Sequence, residues 1–193
     1  MSAILHDVAF GKYLPRGSAS AGRSDDPADA RDTETVRRIA GQLDALPVER
    51  ARYLAAFAYI LTRAAAADMD ISDVESRAIE RLVAEYGTLP EAQAVLVTQI
   101  ARNQSLLFSG TEDYLVTRQF RELSSADDRL ALLRCCYLIG AADDTITAQE
   151  SDTLQQIARE LDLDREAVNV IRNEFAPKLA AIQAMLHLRG GPG

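Results

Sequence analysis

Residues 139–150 read IGAADDTITAQE, and residues 64–75 read AAAADMDISDVE. Laid over each other at a constant offset of 75 positions, the two stretches match without a gap. Ala66, Ala67, Asp68, Ile71, Glu75 and Ser76 coincide with Ala141, Ala142, Asp143, Ile146, Glu150 and Ser151. Ser72 faces Thr147, a like-for-like helix N-cap. The correspondence continues downstream, where Glu91, Ala92 and Val95 match Glu166, Ala167 and Val170. Each unit follows one plan: an apolar helix ends at Ala-Asp, a short loop supplies one apolar anchor (Ile71 or Ile146), and a capped amphipathic helix returns. So short a loop folds the two helices back into a hairpin. Two such hairpins bury each other's apolar faces best about a pseudo-two-fold axis.

Outward from these units the pattern stays helical. Val36, Ile39, Ala40 and Leu43 recur at helical spacing behind Asp32 or Thr33 as N-cap, and Pro47 follows. Val48–Ala67 is apolar nearly all round, as in a helix buried on most faces. Ser72-x-x-Glu75 opens the third helix and Gly87 stops it. Thr88-x-x-Glu91 opens a fourth that runs to about Phe108, and Gly110 and Thr111 begin a fifth. Ser125-x-x-Asp128, Thr147-x-x-Glu150 and Asp164 start three more. Pro177 interrupts the last, because proline lacks an N–H and clashes with the preceding turn. No stretch alternates with period two. The expected fold is all-α: a single-domain bundle of about seven to nine helices with an internal helix-loop-helix duplication.

The ends read differently. SASAGRSDDPADARD (18–32) is small, charged and aperiodic, so residues 1–32 are expected to be a flexible amino-terminal segment and linker. That segment carries Ile4, Leu5, Val8, Phe10, Tyr13 and Leu14. The helical domain spans 33–188, and 189–193 form a frayed tail.

Composition narrows the partners. The chain has 193 residues, a net charge of -8 and a sequence pI near 4.8. Phosphate backbones repel such a surface, which argues against nucleic acid and for cations or basic protein patches. Cys135 and Cys136 are adjacent in an apolar stretch, which suits small core residues rather than a disulfide framework. No apolar run reaches the roughly 18–20 residues that span a bilayer. The amino terminus lacks a basic n-region and has Asp7 where a signal peptide stays apolar, so the cytoplasm is the expected compartment.

The string Ala-Asp-x-x-Ile-[Ser/Thr]-x-x-Glu, twice in an all-helical chain, resembles the tellurite-resistance TerB family and the related amino-terminal domain of a membrane-anchored DnaJ-like co-chaperone. The likeness covers roughly Val48–Phe175. The family hallmark has glycine after the aspartate, where this chain has Met69 and Asp144. Glycine there suits a left-handed residue; aspartate tolerates that conformation, while methionine costs on the order of 1 kcal/mol.

The sharpest candidate site is the carboxylate set of the two loops: Asp68, Asp70 and Glu75 in the first, Asp143, Asp144 and Glu150 in the second. Asp68 and Asp143 end helices, where the carbonyl dipole disfavours a carboxylate by roughly 0.3–1 kcal/mol. A hard divalent cation such as Ca²⁺ or Mg²⁺ offsets that cost, and the resemblance implies that this acidic surface binds a metal or a partner. Alternatively each aspartate accepts its own loop's N–H groups and each glutamate closes a capping box. The spacing is not an EF-hand's, since Asp73 and Ile79 stand where that loop needs glycine and glutamate. No cofactor motif and no catalytic constellation is present, so the expectation is a non-enzymatic module. It would bind a cation or a basic protein partner in a tellurite or metal-stress response, as the resemblance implies. The alternative is an adaptor that docks a partner or membrane surface through its amino-terminal apolar peptide, with purely structural acidic loops.

Overall fold

The computed structural model describes residues 27–64, 73–102, 113–142 and 144–189. Nine α-helices lie among them: α1 (Pro27–Asp44), α2 (Val48–Ala64), α3 (Asp73–Tyr86), α4 (Glu91–Arg102), α5 (Asp113–Leu123), α6 (Ala126–Gly140), α7 (Ala148–Glu160), α8 (Arg165–Glu174) and α9 (Ala180–Arg189). A single 3₁₀ turn, Ala176–Lys178, separates α8 from α9, where Pro177 was expected to interrupt the chain. The all-helical expectation holds. The only β-type pairing among the described residues is an isolated bridge between Ile146 and Leu179.

α2 is the hub. Its first turn is set by Pro47, whose carbonyl accepts the Ala51 N–H at 2.9 Å. Glu49 and Arg63 stand at the ends that the helix dipole favours. From Tyr53 to Leu61 every residue is buried, and α1, α4, α5, α6 and α7 all pack against it. Its apolar periphery explains this, because a helix apolar all round has no face to give to water. Tyr53, Phe57 and Phe120 form an aromatic cluster between α2 and α5, with ring centroids 4.9–6.0 Å apart. Arg50 stands over the Tyr53 ring, 4.7 Å from its centroid, and donates to Gln93 of α4 at 2.9 Å.

α6 is the second buried helix. Ser125 caps it through a reciprocal box with Asp128: the Asp128 N–H donates to Ser125 Oγ at 3.1 Å, and the Ser125 N–H to Asp128 Oδ2 at 3.0 Å. Cys135 and Cys136 are both free and buried on it. Burial pushes the Cys135 thiol up to about 12 and the Cys136 thiol well above its ordinary value, so neither is a thiolate at neutral pH.

The helices α3 and α7 start 75 positions apart, at Asp73 and Ala148, the offset of the sequence repeat. α3 packs on α6, and α7 packs on α2. Residues 65–72, which include the first loop, lie outside the described residues.

Two helix starts differ from expectation. α1 begins at Pro27, within the stretch read as linker and ahead of Asp32 and Thr33. Proline at a first helical position needs no N–H partner and presets φ, so Pro27-Ala-Asp-Ala nucleates the turn that its polarity concealed. α4 begins at Glu91 behind Pro90, not behind Thr88. Thr88 has φ +53°, a left-handed conformation no N-cap adopts. The Gln93 and Ala94 N–H groups donate instead to the Pro90 carbonyl, at 2.8 and 3.0 Å.

Candidate functional site

The second acidic loop joins α6 to α7. Its geometry begins with Asp144, whose φ of +70° is left-handed. An aspartate can hold that conformation at modest cost, as the sequence comparison at this position anticipated. The turn is closed by the Asp144 N–H donating to the Ala141 carbonyl at 3.0 Å. Ile146 then dives into the core with only 1% of its surface exposed. Thr147 turns the chain into α7 through a complete capping box. Its N–H and hydroxyl both reach Glu150 Oε2, at 2.8 and 2.9 Å, while the Glu150 N–H donates back to Thr147 Oγ1 at 3.2 Å.

The carboxyl-terminal segment closes over this loop. The Ile146 N–H donates to the Lys178 carbonyl at 2.7 Å, and the Ala180 N–H to the Ile146 carbonyl at 2.9 Å. The Lys178 ammonium pairs with the Asp144 carboxylate, whose side chain is 84% exposed. That hydrogen-bonded ammonium holds the Asp144 carboxyl below its ordinary value. Gln183 Nε2 donates to the Asp144 and Pro177 carbonyls at 3.1 and 3.2 Å. Leu179 is buried beside Ile146.

Of the six carboxylates singled out by sequence, Asp144 and Glu150 are brought into one short loop with defined partners. Asp68, Asp70 and Asp143 lie outside the described residues, and Glu75 stands in the first turn of α3. Glu150 is the N-cap partner of α7, as the structural alternative expects. Among the described residues, no group of three or more histidine, cysteine, aspartate or glutamate side chains could hold a metal ion. Asp144 and Glu150 alone do not make a cage, since hard divalent cations take six or more oxygen ligands.

Sequence reasoning missed two features. One is Lys178, far along the chain from Asp144, with no motif to link them. The other is a buried ion pair between Arg63 of α2 and Glu160 of α7, at 2.7 Å, with side chains 8% and 12% exposed. Arg63 also donates to Thr117 of α5 at 2.9 Å, and Gln156 donates to Glu160 at 2.9 Å. Desolvation pushes the Glu160 carboxyl up, but the hydrogen bonds from Arg63 and Gln156 outweigh it and hold it below its ordinary value. Between α3 and α4 lies a shallow groove of about 570 Å³ along which Arg77, Arg81, Glu85 and Glu91 are arrayed. Its mixed charge selects neither cations nor anions.

An all-helical domain in which the buried α2 and α6 are each followed by an amphipathic helix is the class of protein that these elements define. The chain matches the family of Tellurite resistance protein TerB over residues 54–173, more than half its length, and belongs to that family. Searches of curated proteins and of solved structures gave no match. Among the described residues, no helix is long and apolar enough to cross a membrane.

Proposed function

We propose that this chain is a non-enzymatic interaction and sensing module whose second acidic loop binds cationic groups, within the tellurite or metal-stress setting of its family. The observation that carries this reading is the Lys178 ammonium on Asp144. The loop presents an exposed carboxylate at its left-handed tip, and a cation from elsewhere in the chain already sits there. A basic side chain of a protein partner is the ligand that this geometry fits. A divalent ion is the loop's other cationic ligand, held by Asp143, Asp144 and Glu150 with water completing the shell, and therefore weakly. The first loop, with Asp68, Asp70 and Glu75, would be the poorer site, because Met69 stands where the second has Asp144.

Calorimetric titration with Ca²⁺, Mg²⁺, Mn²⁺ and Zn²⁺, paired with melting curves, tests the metal arm. Binding to the native state raises the melting temperature with ion concentration, and Asp143→Asn abolishes the rise while the fold stays intact. A melting curve unmoved by millimolar Ca²⁺ or Mg²⁺ would rule out the metal and leave the basic partner.

A further inference from the structure

The segment after Pro177 lies beyond the end of the family match at residue 173, yet it supplies the loop's cation. It meets the loop much as a separate peptide would. Lys178 and Ala180 give one backbone acceptor and one donor to the two sides of Ile146. Lys178 sends its ammonium to Asp144, and Leu179 buries its side chain. The contact is a single bridge: two main-chain hydrogen bonds flank Ile146, and Leu179, between the 3₁₀ turn and α9, is the one extended residue opposite it.

Beyond Leu179 the hold is narrower: Ile182 packs on the core and Gln183 donates to the Asp144 and Pro177 carbonyls. α9 packs chiefly on the 3₁₀ turn before it, and its Met185 and Leu186 are 54% and 58% exposed. Upstream, Phe175 is fixed by stacking on Tyr137, ring centroids 5.3 Å apart. The segment is thus anchored at Phe175, seated at Lys178–Leu179, tied by Gln183 and exposed at Met185 and Leu186.

We infer that residues 176–189 are an autoinhibitory strap, occupying in cis the docking site on the second loop that a partner's Lys-Leu segment takes when the strap lifts. The inference rests on the reading of that loop as a cation-binding site. A tethered occupant competes at high effective concentration, so a free peptide meets a masked site in the unaltered chain. Lifting the strap frees the Ile146 N–H and carbonyl together with the Asp144 carboxylate, a matched set for an incoming basic segment.

Two measurements on the full chain test this: amide exchange at Ile146 and Ala180, and binding of a labelled peptide copying residues 175–184. In Leu179→Ala, which removes the buried seat, both amides exchange faster while those of α2 and α6 are unchanged, and the peptide binds about tenfold tighter or more. Lys178→Met, which keeps the alkyl stem and burial, shifts both readouts the same way by less. Ile146 exchanging no faster than the α2 core in all three chains, or peptide binding that neither substitution improves, would overturn the strap. Tight binding to the Leu179→Ala chain that survives Asp144→Asn would leave the strap standing and overturn the cation-binding reading instead.

Discussion

At Gly87 a single hydrogen atom decides how two helices meet. The residue ends α3, its N–H donating to the Val83 carbonyl at 2.9 Å. A Cβ there would fall against that same carbonyl oxygen, inside any permitted contact, and 3.1 Å from Phe57 Cζ at the centre of α2. Phe57 is fully buried in the aromatic cluster and cannot retreat. Gly87→Ala should therefore destabilise the domain by about 1–3 kcal/mol, the usual cost of overpacking. Denaturant unfolding measures it, and an unchanged midpoint would refute the close approach. The stop at Gly87 was legible in sequence; that Phe57 enforces it was not, because the two lie on different helices. Asp144 is the reverse case. Comparison with the glycine of the TerB pattern pointed to a left-handed residue there, and its φ of +70° is a property of the local chain. Its pairing with Lys178 is not local, and nothing around either residue announces it.

Among the elements, the helices with side-chain caps were the most legible. Ser125, Thr147 and Asp164 each cap the helix that follows, as their spacing to a residue two or three positions on predicts. Capping is a contact within one turn, so a sequence pattern suffices to specify it. Thr88 shows the limit of such patterns. Thr88-x-x-Glu91 has the same form as the working caps, but Pro90 intervenes and disfavours a helical conformation in the residue before it, delaying the start of α4. The caps at α6 and α7 are the places to test the repeat's energetics. Ser125→Ala and Thr147→Ala should each cost about 1 kcal/mol, with Thr147→Ala also loosening the acidic loop it terminates. Unchanged unfolding midpoints in both variants would show that the boxes contribute nothing of their own.

Across the whole molecule, the Arg63–Glu160 pair ties α2 to α7, and through Thr117 to α5. Three helices distant in sequence meet at one enclosed charge pair, and its contribution depends on pH in a defined direction. The Glu160 carboxyl is held below its ordinary value in the folded chain. Its stabilising contribution is therefore present above the unfolded carboxyl value of about 4.3, and is lost as pH falls through the lower folded value. Glu174, hydrogen-bonded by Arg134, and Asp144, by Lys178, are shifted the same way and add to the same acid limb. Glu160→Gln should cost about 1–3 kcal/mol at neutral pH, since it removes the carboxylate that accepts from Arg63. It should also flatten the fall in stability below pH 4.3 or so. Urea unfolding at a series of pH values measures both; an acid limb as steep as before would show that Glu160 is not its source.

The sequence by itself determined the helical class, the buried α2 and α6, the working caps and the family, because each rests on periodicity or on contacts within a turn. Burial of Cys135 and Cys136 followed from the same pattern, as an apolar stripe must face inward somewhere. Tertiary structure alone decided what meets the acidic loop. Ile146 finds Leu179, and Asp144 finds Lys178, only once α8 has packed on α6 and the chain has turned at Pro177. The Arg63–Glu160 pair is of the same kind. Contacts between residues far apart in the chain depend on how whole helices settle against each other, and no local pattern encodes that. The start of α1 lies between the two cases: Pro27 marked it locally, but a polar, small-residue stretch read as linker hid it. Farther along, α1 buries Ile39 and Leu43, which are 0% and 2% exposed, and it packs against α2 and α4. Propensity left its first turns ambiguous, because tertiary packing supplies most of a short helix's stability.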